Sequence, residues 1–164
     1  MKVLFLDIDG VLNTNHANIE PVLCAKVERV LDATGAVVVL SSSWRNLIEA
    51  QMGTKAHYDE ARALLVGNGM TERLFEAIIS QTRNLTEWDD AEGVSLMVGG
   101  ERGHRAREIL DWLEAWQGEV TAWVVVDDMG LWVDGLPKWQ TVITSGRTGI
   151  TDADADEMIR ILQR

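Results

Sequence analysis

The chain has 164 residues and carries 26 acidic against 15 basic side chains, a formal charge of −11. That balance disfavours extended binding along a nucleic-acid backbone, yet it leaves local capture of one phosphate open. The single Cys24 excludes an internal disulfide, and the apolar residues ahead of Asp7 are too few for a signal-peptide core. The run Val120 to Val126 is too short to cross a bilayer, so the expectation is a cytoplasmic protein with no membrane contact, folded as one domain over 1–164.

In chain order, Val3–Leu6 predicts a short buried strand that ends in Asp7-Ile8-Asp9-Gly10. Side chains two apart on a strand point the same way, so Asp7 and Asp9 can converge, and Gly10 lets the chain turn away. Val22, Leu23, Val27, Val30 and Leu31 recur at helical spacing between Pro21 and Gly35, a proline start and a glycine stop. Cys24 falls inside that helix and reads as a small buried apolar residue. A second strand, Val37–Leu40, ends in Ser41-Ser42-Ser43-Trp44-Arg45.

The stretch 53–103 is less legible and leaves room for a small insertion over the site. Asp59–Val66 and Thr71–Ile79 read as helices there, and Val94–Val98 as a strand. Arg102, His104, Arg105 and Arg107 then gather positive charge ahead of a stripe of Ile109, Trp112, Leu113 and Trp116, which fits the buried face of a helix. Trp123–Val126 predicts a third strand, ending in Asp127-Asp128, and Val142–Ile143 a short fourth. A last helix spans about Thr151 to Leu162; Thr151 with Asp154 fits a capping pair, so Asp152, Asp154 and Asp156 are assigned to helix capping and not to a metal. Strands alternating with helices predict a doubly wound α/β parallel sheet, Rossmann-like in layout.

In such a sheet ligands bind beyond the carboxyl ends of the strands. Three of these ends carry chemistry here: Asp7 with Asp9, Ser41 with its neighbours, and Asp127 with Asp128. Two close carboxylates repel unless a cation or proton stands between them. An aspartate can attack phosphorus, and a second acid within reach can pass a proton to the leaving oxygen and later take one from water.

The order of these motifs resembles the haloacid dehalogenase-like (HAD) hydrolase superfamily over nearly the whole chain. Asp7-Ile8-Asp9-Gly10 matches its first motif, Ser41 its second and Asp127-Asp128 its fourth. Ser41-Ser42-Ser43-Trp44-Arg45, the helix start at Arg105 and Gly149-Ile150-Thr151 further resemble the phosphatase-like domain of Swiss Army Knife RNA repair proteins. The resemblance implies a phosphomonoesterase with an aspartyl-phosphate intermediate: Asp7 as nucleophile and Asp9 as general acid, with Ser41 and the Ser42 amide on the phosphate. Arg105 would take the third-motif role, with His104 and Arg107 as fallbacks. Arg45, Gly10 and Arg107 join Ser42 as substrate contacts. Mg²⁺ is the implied cofactor, held by Asp7, Asp9 through its carbonyl, and the Asp127-Asp128 pair, with either acid of the pair as the direct ligand.

Only about thirty residues separate Asp9 from Ser41, and a helix with its connections uses most of them, which argues against a large cap at that point. The expected substrate is a phosphorylated small molecule or a nucleic-acid end. The alternatives are a small-metabolite phosphatase, a non-catalytic phosphate-binding scaffold, or a receiver-like domain, whose acid motifs come in a different order.

Overall fold

The computed structural model describes residues 1–15, 17–83 and 100–164. Five parallel strands form one sheet: β1 (Lys2–Leu6), β2 (Val37–Leu40), β3 (Ile78–Gln81), β4 (Ala122–Asp127) and β5 (Thr141–Ile143), in the order β3-β2-β1-β4-β5. The helices are α1 (Pro21–Thr34), α2 (Lys55–Gly67), α3 (Glu72–Glu76), α4 (Gly100–Ala115) and α5 (Asp152–Leu162). Among the described residues no helix is long and apolar enough to cross a membrane.

The alternation of β1 explains the layering, because successive strand side chains face opposite sides of the sheet. Leu4 and Leu6 enter a core with α1, α3 and α5, whereas Val3 and Phe5 enter a second core with Ile109 and Trp112 of α4. The Phe5 ring meets Trp112 edge-on at a centroid distance of 5.4 Å, a geometry that adds about 0.5–1.5 kcal/mol beyond area burial. Trp112 stacks in turn on Trp116 at 5.2 Å, so these two tryptophans of the predicted stripe pack against each other. Buried Cys24 lies in the first core, where burial pushes its thiol pKa up.

Several local signals hold. Pro21 starts α1, and Gly35, at φ +67°, ends it by donating its amide to the Leu31 carbonyl. Thr151 and Asp154 form the reciprocal capping box at the head of α5. The span Thr71–Ile79 departs from its expected single helix. Thr71 caps the one-turn helix α3, and after Ala77 the chain becomes β3, the edge strand beside β2. Ladder bonds from the Val38 amide to the Ala77 carbonyl (3.0 Å) and from the Thr82 amide to the Leu40 carbonyl (2.9 Å) bracket the new strand. The β-branched pair Ile78-Ile79 suits that pleated edge better than a continued helix. The strand expected at Val94–Val98 lies outside the described residues, as does much of the insertion expected within 53–103.

Candidate active site

Parallel pairing puts the functional strand ends level. Leu6 is in register with Leu40 of β2 and with Val126 of β4, so Asp7, Ser41 and Asp127 each follow at the same edge of the sheet. The Asp7 amide donates to the Val126 carbonyl (3.1 Å) and the Ser41 amide to the Leu6 carbonyl (2.8 Å), which fixes both residues by backbone. All three are buried, and the Asp7 Oδ1 and Ser41 Oγ atoms have no hydrogen-bond partner among the described residues. A buried acceptor without a protein partner is costly in an ordinary core, so water or a ligand is expected to complete the bonding.

Asp7, Asp127 and Asp128 each offer a carboxylate oxygen, and these atoms lie within 4.8 Å of one another. Arg105, reaching over from α4, places Nη1 at 2.8 Å from Asp7 Oδ2 and 3.0 Å from Asp127 Oδ2. Burial raises the Asp7 pKa to about 7, with the Asp127 charge adding to the rise and Arg105 opposing it. Asp127 is raised mainly by burial, again against the pull of Arg105. Burial works against the Arg105 charge, but the two carboxylates outweigh it and hold its pKa above the ordinary value. With all three carboxylates ionised, their charge exceeds that of the Arg105 guanidinium by two, the amount that one divalent cation cancels. An oxygen-only donor set with an unpartnered Asp7 oxygen fits a hard cation such as Mg²⁺.

Gly10 makes this crowding feasible. At φ +70° it takes the left-handed turn, and a Cβ there would lie 2.5 Å from Asp128 Oδ2, so only glycine lets Asp128 close over the loop. The Gly10 carbonyl accepts from Thr144 Oγ1 (2.7 Å) and its amide donates to Asn13 Oδ1 (2.9 Å). Gly10 therefore shapes the loop beneath Asp128.

Asp9 stands apart from the three clustered acids. One of its oxygens accepts from Asn13 Nδ2 (2.8 Å) and the other from Trp44 Nε1 (3.1 Å). The sequence motifs assign no role to either: Trp44 lies inside the Ser41–Arg45 stretch, and Asn13 lies just past the first motif, four residues after Asp9. Ser42 caps the short turn Ser43–Leu47, and its carbonyl accepts from Arg45 Nη1 (2.8 Å). The Arg45 guanidinium is buried and paired with the carboxylate of Glu108. Burial lowers the Arg45 pKa, with Glu108 offsetting part of the fall. Arg107 points to solvent, with Nε 2.7 Å from Asp111, and His104 is half-buried. In the third-motif stretch, Arg105 is ion-paired to both Asp7 and Asp127.

A family model for the HAD domain in Swiss Army Knife RNA repair proteins matches residues 3–155. The chain belongs to that family. This HAD domain has the five-stranded parallel core without a large cap inserted between Asp9 and Ser41, where α1 and its connections take up the chain. Its acidic cluster is of the kind that HAD-like phosphohydrolases use. No curated protein and no solved structure shows a significant match to it.

Proposed function

We propose that this HAD domain is a Mg²⁺-dependent phosphomonoester hydrolase that works through an aspartyl-phosphate and acts on the terminal phosphate of a nucleotide or nucleic-acid end. One observation carries the reading: Arg105 bridges Asp7 and Asp127 at the edge where the unpartnered Ser41 hydroxyl also emerges. A nucleophile, a fixed positive charge and an oxygen-binding hydroxyl thus share one small buried volume.

The roles follow from the residue types. An Asp7 oxygen attacks phosphorus, forming a P–O bond as the ester P–O bond breaks, and Asp9 gives its proton to the departing oxygen. Asp9 then takes a proton from water, whose oxygen attacks phosphorus and releases Asp7 and inorganic phosphate. Asn13 and Trp44 hold the Asp9 carboxyl in one orientation through both halves. The Ser41 hydroxyl and the Ser42 amide bind phosphate oxygens, and Arg105 offsets the charge that builds in the transition state. Asp7, Asp127 and Asp128, with the Asp9 carbonyl, would hold Mg²⁺, which supplies charge cancellation and orientation to the dianionic phosphate. Arg107, exposed on α4 beside Asp111, would serve a further phosphate of a longer substrate, while Arg45 supports the Ser42 loop through its carbonyl.

The reading is tested by a panel of phosphomonoesters including sugar phosphates, nucleotides and oligonucleotides with 5′- or 3′-terminal phosphate, each with Mg²⁺ and with chelator. Chelator-sensitive phosphate release, most efficient on nucleotide or oligonucleotide ends, is the expected result. Efficient turnover confined to small sugar phosphates would replace it with a small-metabolite phosphatase, and no turnover of any ester would leave a non-catalytic domain.

A further inference from the structure

Beside the active site, a cleft of about 440 Å³ runs between α2 and the edge strand β3. Its floor is apolar, formed by Leu40, Ala61, Leu65, Phe75 and Ile78, and Tyr58 stands at its mouth, half exposed and edge-on to Phe75 at 5.2 Å. In a chain one-quarter of whose residues are charged, no Asp, Glu, Lys or Arg among the described residues lines this cleft. Polar groups are present but few. Chief among them is His57, whose Nε2 is buried with no hydrogen-bond partner among the described residues, and Gln81 lies at the strand end. A mostly apolar concavity with a small number of directed polar groups is the usual form of a site for a flat organic ligand.

Its position says which ligand. Leu40 lines the cleft, and the next residue is Ser41; Gln81 lines it, and the next is Thr82, a buried residue whose amide bonds the Leu40 carbonyl. The cleft therefore begins where β3 runs beside β2, one strand spacing of about 4.8 Å outward from the Ser41 loop. That offset is of the order by which a sugar ring separates a phosphate from its base. We infer that this cleft is a nucleobase subsite, which holds the base of the terminal nucleotide against Tyr58 and Phe75 with the His57 side chain in its wall, while the phosphate lies at Ser41 and Asp7. A neutral aromatic heterocycle matches a described lining without charge, and every base offers a face for stacking. The inference rests on the phosphomonoesterase reading for its phosphate anchor and adds the chemistry of the group attached to it.

The test compares substrates that differ only in the base: ribose 5-phosphate against nucleoside 5′- and 3′-monophosphates, with wild type, Tyr58→Ala and His57→Ala. The expected result is a preference for one set of base-bearing substrates of at least about tenfold in kcat/KM. Each variant should reduce that preference by at least about threefold and leave ribose 5-phosphate turnover within about twofold of wild type. Equal kcat/KM with and without the base, or a preference that survives in both variants, would overturn the subsite. Should no phosphomonoester be hydrolysed, the phosphatase reading fails by itself. Equilibrium dialysis of free nucleosides against ribose then decides the cleft: nucleoside binding weakened by Tyr58→Ala supports it, and no nucleoside binding by wild type removes it.

Discussion

The Arg45 guanidinium, carried by the turn after β2, ends on the carboxylate of Glu108 in α4, 63 residues further along the chain, and both side chains are buried. Glu108 lies three residues after Arg105, on the same side of the helix, so one buried pair ties the Ser41-Ser42 loop to the helix that presents Arg105 to the acids. The distance between the Ser41 hydroxyl and the Arg105 guanidinium is thereby set by packing.

Removing one partner of that pair strands the other charge in the interior. Glu108→Ala should destabilise the protein by about 3–5 kcal/mol, whereas Arg45→Met combined with Glu108→Leu should recover much of the loss. Urea unfolding of wild type and the two variants measures this, and a near-neutral Glu108→Ala would show that the pair is solvated.

Asp7→Asn should abolish phosphate release while the protein stays folded, because an amide is no nucleophile. Its effect on stability depends on pH. In the metal-free protein Asp7 binds its proton more tightly folded, with a pKa near 7, than unfolded, at 3.8. The folded state then holds more protons between those values, so this contribution to stability is full below 3.8 and is lost as pH rises through 7. Asp7→Asn removes that loss. Its melting temperature relative to wild type, measured in chelator, should rise from pH 4 to pH 8, and a difference independent of pH would contradict the assignment.

Most of this frame was legible in the sequence. The strands β1, β2 and β4 are runs of Val and Leu bounded by polar ends, and parallel pairing alone brings Asp7, Ser41 and Asp127 to one edge. What escaped depends on tertiary context. Strand β3 follows a helix-start signal at Thr71 and owes its state to pairing with β2. Trp44 on Asp9 and Glu108 on Arg45 are contacts across 35 and 63 residues, to which no local pattern points. The same holds for Arg107, whose neighbourhood in sequence matches that of Arg105 but whose side chain leaves the opposite way, toward Asp111.

Chelator should eliminate activity and Mg²⁺ should restore it, with Ca²⁺ supporting little turnover because its larger and more variable shell does not fix in-line geometry. Asp127→Ala removes an oxygen from the cluster and a carboxylate partner of Arg105 Nη1. It should therefore raise the Mg²⁺ concentration needed for half-maximal activity and also lower the ceiling. Titration of activity with Mg²⁺ separates the two effects, and full activity at ordinary Mg²⁺ would remove Asp127 from the site.

Gly10→Ala adds one methyl group where Asp128 Oδ2 already lies 2.5 Å from the Cβ position, on a backbone at φ +70°. Either the turn or Asp128 must shift. A loss of at least about tenfold in kcat is expected, of the size that small misplacements near the chemistry produce. Circular dichroism should remain that of the wild type, since the core beneath β1 is untouched.

The two arginines on α4 should separate cleanly. Arg105 is buried against Asp7 and Asp127, so Arg105→Ala removes charge at the reacting centre and should lower kcat on every phosphomonoester by about a hundredfold or more. Arg107 is exposed and paired only at the surface with Asp111, a contact that water and salt weaken. Arg107→Ala should leave kcat near wild type, raise KM for a phosphorylated oligonucleotide, and flatten the salt dependence of its kcat/KM by about one counterion. Sugar phosphates, which have no second phosphate to meet Arg107, should show no change. If Arg107→Ala instead depresses kcat for sugar phosphates as strongly as Arg105→Ala does, the charge-offsetting role belongs to Arg107, and α4 must rotate on substrate binding to bring it inward.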